Sequence, residues 1–125
     1  MSLKSAIPVL RVFNEEMSRE FYLEFLGFKV DWEARFTESS PIYMQISKDG
    51  CVLRLSGHFG DCCPGGAACI EMNGVREYCE LLNAKNYKHA KPGCQAMEWN
   101  TLEMSIKDPS GNKLTFWEPI PETGG

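Results

Sequence analysis

The chain has 125 residues, 43% apolar and 24% charged, the balance of an ordinary globular protein with one hydrophobic core. Its net charge of −4 and pI near 5.2 argue against a nucleic-acid partner, which demands a clustered basic face. No apolar run approaches the ~20 residues of a membrane span, and Met1–Lys4 lacks the apolar core of a signal peptide, so the expected compartment is the cytoplasm.

The chain reads as two similar halves, each a strand, a helix and three strands. The first opens with Ile7 to Phe13, an apolar run broken by Arg11 and suited to a buried strand. Asn14 offers a helix cap, and Glu15 and Glu16 fall where the helix dipole favours negative charge. Met17, Phe21, Phe25 and Leu26 make an apolar helical stripe that Gly27 ends. Then comes strict alternation. Phe28, Val30, Trp32, Ala34 and Phe36 face one way, and Lys29, Asp31, Glu33 and Arg35 the other, as in a strand with one buried face. Ser39-Ser40-Pro41 is a turn. Ile42, Met44 and Ile46 alternate in the next strand, Asp49-Gly50 signals a hairpin, and Cys51, Leu53 and Leu55 alternate after it.

Gly57 to Gly66, rich in Gly, Pro and Asp, joins the halves. Ala68, Ile70 and Met72 form a strand face. Asn73 can cap a helix with the stripe Val75, Tyr78, Cys79 and Leu82, which Asn86 ends. Lys85, Lys88, His89 and Lys91 form the one local basic cluster, read as a solvated loop, and a short strand is possible near Tyr87. Leu102, Met104 and Ile106 alternate, Asp108 to Asn112 is a strong turn, and Leu114 and Phe116 alternate after it. The tail from Pro119 looks mobile.

Six cysteines occur: Cys51, Cys62, Cys63, Cys69, Cys79 and Cys94. With no secretory signal they are expected to be reduced thiols. None shows the C-x2-C spacing of a zinc site. Cys79 lies on the apolar helix face. Cys62, on a turn, is a candidate reactive thiol without a visible basic neighbour.

Specific motifs accompany the duplicated unit. Leu10-Arg11-Val12, Phe21-Tyr22, Leu26-Gly27-Phe28 and the turn Asp108-Pro109-Ser110-Gly111-Asn112 resemble those of the glyoxalase/bleomycin-resistance/dioxygenase (vicinal oxygen chelate) superfamily, over roughly residues 5 to 118. Val30 to Glu33, Arg35-Phe36, Tyr43 to Gln45, Gly57-His58, Gly60-Asp61, Pro64-Gly65 and Trp99 look closest to its bleomycin-resistance branch. The resemblance implies an α+β fold in a single domain. Two βαβββ modules, about 5–57 and 67–118, form a curled mixed sheet around a cavity, with helices outside. Parity then puts Ile42, Met44, Leu53, Leu55, Leu102, Met104, Leu114 and Phe116 under the helices. Tyr43, Gln45, Arg54, Glu71, Glu103, Thr115 and Trp117 face the cavity, subject to any β-bulge, which flips the strand it touches.

Metal-dependent members of that superfamily place ligands on the first and last strand of each unit. The matching positions here are Ile7, Arg54, Ala67 and Thr115, and Arg54 is a fixed cation. The resemblance thus implies no metal and no cofactor. The implied function is sequestration of a small molecule, with a cationic drug as one candidate, by a homodimer that leaves it chemically unchanged. The ligand-contact candidates are Asp31, Trp32, Phe36, Tyr43, Arg54, Phe59, Trp99 and Glu103. Aromatic faces suit flat or cationic ligands, and Asp31, Glu33 and Asp61 add negative charge. For Trp32 and Phe36, plain core packing is equally open. Glu71 could pair with Arg54 or, across the cavity, with Glu103. His58 reads as a surface loop residue, or as a ligand or base needing a partner. Related sequences tend to carry His where Arg54 stands, and Arg54 also suits an anionic or carbonyl-bearing ligand. The alternative function is a metal-dependent lyase or extradiol dioxygenase with a displaced site drawn from His58, Glu71 or Glu103. A third is a stand-alone domain with a regulatory protein partner.

Overall fold

Apolar alternation and helical stripes set the order of elements in a computed structural model that describes residues 1–121. Module one comprises β1 (Val9–Arg11), α1 (Glu15–Arg19, continuing as a π-helical stretch Glu20–Phe25), β2 (Lys29–Ala34), β3 (Tyr43–Lys48) and β4 (Cys51–Ser56). Module two comprises β5 (Ala67–Glu71), α2 (Val75–Ala84), β6 (Cys94–Ala96), β7 (Thr101–Lys107) and β8 (Lys113–Pro119). Each module carries its own four-stranded mixed sheet, ordered β1-β4-β3-β2 and β5-β8-β7-β6. β1 runs parallel to β4 and β5 parallel to β8, while the remaining pairs are antiparallel. This is the two-module α+β architecture that the motifs imply.

The helices cover one face of the sheets. Ile42, Met44, Leu53, Leu55, Met104, Leu114 and Phe116 are buried there, as parity requires, and Leu102 is half-buried against the same core. The Asn14 side chain accepts from the Met17 amide and caps α1. Met17 itself is exposed, and the inward stripe gains Tyr22 instead. The cause is the π-helical stretch. Leu26 N–H reaches back five residues to the Phe21 carbonyl, which turns Phe21, Tyr22, Phe25 and Leu26 inward together.

Three local expectations need correction. Asn73 does not cap α2. Gly74 occupies that position at φ +84°, and the Gly74 and Val75 amides donate to the Glu118 carboxylate at 3.1 and 2.9 Å. A carboxylate at the positive end of the helix dipole serves better than a local amide side chain. Tyr87 is not in a strand: its ring stacks on Phe25, and the short strand of this region is Cys94–Ala96. Pro119 closes β8, and Ile120 N–H donates to the Asn100 carbonyl, so the tail is held at least that far. The rest of the expected mobile tail, from 122 onward, lies outside the described residues.

The modules join through polar contacts around a shared core. Asp108 is buried and accepts from the Tyr22 hydroxyl at 2.5 Å, from the Ser110 and Asn112 amides, and from the Asn112 side chain. Asn112 also donates to the Arg11 carbonyl and accepts from the Gly66 amide. Across the helices, Tyr78 donates to the Leu26 carbonyl, and Lys85 donates to the Glu24 and Phe25 carbonyls, capping the end of the first helix. Burial first, then Asp108, pushes the Tyr22 phenol far above its ordinary range, so it stays a donor.

Tyr22→Phe removes one donor from this buried carboxylate. The expected loss is about 1.5–3 kcal/mol in urea unfolding, with an unchanged denaturant slope. A loss below about 0.5 kcal/mol would show that Asp108 does not depend on Tyr22.

Candidate functional site

The face of module one away from the helices is built by β2, β3 and β4. Pairing places Arg54 opposite Gln45, and Tyr43 opposite Ser56. On β2 the register runs Lys29 with Ser47 and Val30 with Ile46, then jumps to Trp32 with Gln45. Asp31 is the extra residue of a β-bulge. A bulge reverses side-chain parity in the strand beyond it. Trp32 and Ala34 therefore share the open face with Gln45 and Tyr43, while Glu33 turns to the helix side, opposite Met44.

This corrects the reading of Phe28 to Phe36 as one buried face. Phe28 is buried, but Trp32 is 39% exposed and Phe36 88% exposed, so neither is core. The charged residues between them meet the first helix instead. Arg19 donates to Glu33 at 3.0 Å and to Glu15 at 2.9 Å, and Arg35 pairs with Glu15. Burial alone would raise the Glu15 carboxyl, but hydrogen bonds from Arg35 and Arg19 prevail and hold it below the usual range. Glu33 is thus spent on Arg19 rather than offered to a cationic ligand.

On the open face Trp32 stacks on Tyr43, with ring centroids 5.8 Å apart and planes 26° apart. The Arg54 guanidinium carbon lies 5.2 Å from the Trp32 centroid. Arg54 Nε donates to Gln45 Oε1 at 3.1 Å, and Gln45 Nε2 donates to Asp31 Oδ2 at 3.2 Å. Ser47 Oγ donates to Asp31 Oδ1 at 2.8 Å. Ser47 first and then Gln45 hold the Asp31 carboxyl below its ordinary range. The expected Arg54–Glu71 pair does not form. Glu71 borders a cavity beside Lys48 and Asp49, and Arg54 makes no ion pair among the described residues.

The aromatic row continues past Tyr43. His58 lies 6.5 Å from the Tyr43 ring and meets Phe36 edge-on at 5.7 Å. The connection between the modules folds back over this end of the face. Arg11 donates to the His58 carbonyl at 2.6 Å, and Ser56 Oγ donates to the Asp61 carboxylate at 2.6 Å. Phe36, Tyr43, His58, Phe59 and Asp61 bound a cleft of about 620 Å³ there. Asp31, Trp32, Tyr43 and Arg54 therefore adjoin Phe36 and Phe59 in one continuous strip. His58, read from the sequence chiefly as a loop residue, is a wall of that strip. Gln45, which orients Arg54, carried no signal beyond its parity.

Trp99 and Glu103 belong to module two. Trp99 Nε1 and Thr101 Oγ1 both donate to Glu103 Oε2, at 3.0 and 2.7 Å. No hydrogen bond, ring contact or cavity among the described residues joins them to the strip on module one. Nor does Glu103 pair with Glu71.

The family model described as "Glyoxalase superfamily protein" matches residues 1–122. The chain belongs to the glyoxalase superfamily. No curated protein matches it. Solved structures show the same fold. A bleomycin-binding protein from bleomycin-producing Streptomyces verticillus, complexed with copper(II)-bleomycin, is 19% identical at a TM-score of 0.70, covering 98% of this chain and 99% of that one. A bleomycin resistance determinant encoded on the transposon Tn5 is 18% identical at 0.71, covering 94% and 98%. An antibiotic-binding protein from Streptomyces sp. CB03234 is 19% identical at 0.70, covering 95% and 98%.

The superfamily's metal-ligand positions can be tested on their chemistry. Ile7 and Ala67 carry no donor. Thr115 shares its hydroxyl with Ser105 at 3.0 Å, and Arg54 is a cation laid on Trp32. These residues do not fit a divalent ion. His58, Glu71 and Glu103 do not replace them, because no three His, Cys, Asp or Glu side chains among the described residues are grouped to hold one. Burial raises the Cys51 and Cys79 thiols above their ordinary values. It raises Cys62 also, despite the nearby Arg11 guanidinium. Cys63 and Cys69 are exposed.

Ellman's reagent at near-neutral pH should modify Cys63 and Cys69 first and Cys79 last. A fast phase that disappears in Cys62→Ser would instead mark Cys62 as an activated nucleophile.

Proposed function

We propose that this chain is a cytoplasmic, metal-independent binding protein that captures a flat small organic molecule, of the antibiotic kind, and holds it chemically unchanged. The observation that carries this reading is the stacked Trp32–Tyr43 pair on an open sheet face, continuous with the cleft walled by His58 and Phe59. Stacking recognises flat π-systems without bond making, and the cleft has the size of a small-ligand site. The donor chemistry at Ile7, Arg54, Ala67 and Thr115 supports a reading without a metal. The bleomycin- and antibiotic-binding neighbours support the antibiotic class. No helix among the described residues is long and apolar enough to cross a membrane.

N-phenylnaphthylamine, a flat uncharged fluorophore, is the probe of this tray. Saturable binding is expected, unchanged by EDTA, weakened about ten-fold in Trp32→Ala, with the probe recovered intact. Binding that survives Trp32→Ala undiminished, or that EDTA abolishes, would sink the reading.

The same reading includes pairing of two copies. Phe36 and Phe59, 88% and 97% exposed, wall the same cleft, and neighbouring rings so bare favour a covering partner surface. Sedimentation velocity at micromolar concentration should show a dimer. A single monomer-sized species would remove the pairing and leave the binding reading intact.

A further inference from the structure

Near the strip two cations are committed to carboxylates, and a third, Arg11, is anchored through one nitrogen while its buried Nε has no partner among the described residues. Arg19 and Arg35 hold Glu15 and Glu33 on the helix side, and Arg11 donates to the His58 carbonyl between the rings of Phe13 and Phe59. Arg54 differs. Its Nε is fixed by Gln45, its carbon lies over Trp32, and neither Nη has a hydrogen-bond partner among the described residues. The neighbouring carboxylate, Asp31, is held by Gln45 and Ser47 rather than by Arg54. Glu33 is paired, and Asp61 accepts from Ser56. Arg54 thus presents an oriented guanidinium edge beside a row of π-faces.

From this we infer that the captured molecule is a flat aromatic acid, its carboxylate or sulfonate taken by the two Nη groups of Arg54 and its ring system laid along Trp32 and Tyr43 towards the His58 cleft. This rests on the binding reading above and names its ligand class. A planar guanidinium donates two parallel hydrogen bonds to an oxyanion, and Gln45 pre-sets the plane of that fork at little entropic cost. The Arg54–Trp32 contact keeps the cation at the height of the stacking surface, where ring and acid of one ligand can be met together. A cationic ligand would meet Arg54 as a like charge.

Two probes that share their rings separate the cases: anilinonaphthalene sulfonate and its uncharged analogue, N-phenylnaphthylamine. The wild-type chain should bind the sulfonate at least about ten-fold more tightly. Arg54→Met, which keeps the stem over Trp32, should erase that preference by weakening the sulfonate about ten-fold more than the uncharged probe. Arg54→Lys should keep part of it, since a point charge replaces the fork. Trp32→Ala should weaken both probes. Equal affinity of the wild type for the two probes, or a preference that persists in Arg54→Met with an unchanged melting temperature, overturns the acid class and leaves the tray standing. Failure of the uncharged probe to bind at all overturns the tray itself.

Discussion

A single buried carboxylate organises the molecule. Asp108 closes its own turn through the Ser110 and Asn112 amides and takes the Tyr22 hydroxyl from the other module. Through Asn112 the same turn grips the Arg11 carbonyl and the Gly66 amide. A charge so deep is tolerable only when each lone pair meets a donor, and the donors come from its own turn and from the first helix of the other module. The requirement to satisfy Asp108 therefore fixes how the first helix lies against the β7–β8 hairpin, and the Asn112 side chain that Asp108 holds ties β1 and the connection between modules to the same turn. The apolar core supplies the bulk of the stability, but it would accept other registers. The carboxylate accepts far fewer.

On that frame the open aromatic face results from one extra residue. Without a bulge, β2 would bury Trp32 and Phe36 and leave its charges to water. With Asp31 inserted, the charges turn to the first helix, where Arg19, Glu15 and Arg35 balance them, and the rings turn outward. Asp31 then also stabilises the rearranged face, through Gln45 and Ser47.

Much of this was legible in the residues. An apolar run located β1 and alternation the other strands except β6, whose three residues Cys94 to Ala96 lie in a polar, Pro-Gly-containing stretch without a pattern. Parity sorted the core correctly on β3, β4, β7 and β8. It failed on β2 because side-chain period says nothing of an inserted residue, and the cleanest alternation in the chain was the one the bulge inverted. The cap of α2 was missed for a related reason: Glu118 is forty-odd residues away, and capping rules read only neighbours. The strip gathered six of the eight candidate residues. Trp99 and Glu103 stayed apart because equivalent positions in a duplicated unit lie on different sheets. The place of His58 depended on how the connection folds, which its composition does not encode.

That connection has a second consequence. It reaches from Ser56, at the end of β4, to Gly66, which donates to Asn112 in the Asp108 turn. On its way it supplies a wall of the cleft. The wall of the cleft and the closure of the fold thus share one strap, so a molecule held in the cleft would be linked to the stability of the fold. A change that loosens the Asp108 turn would therefore reach the cleft through Gly66 without touching a ring in it.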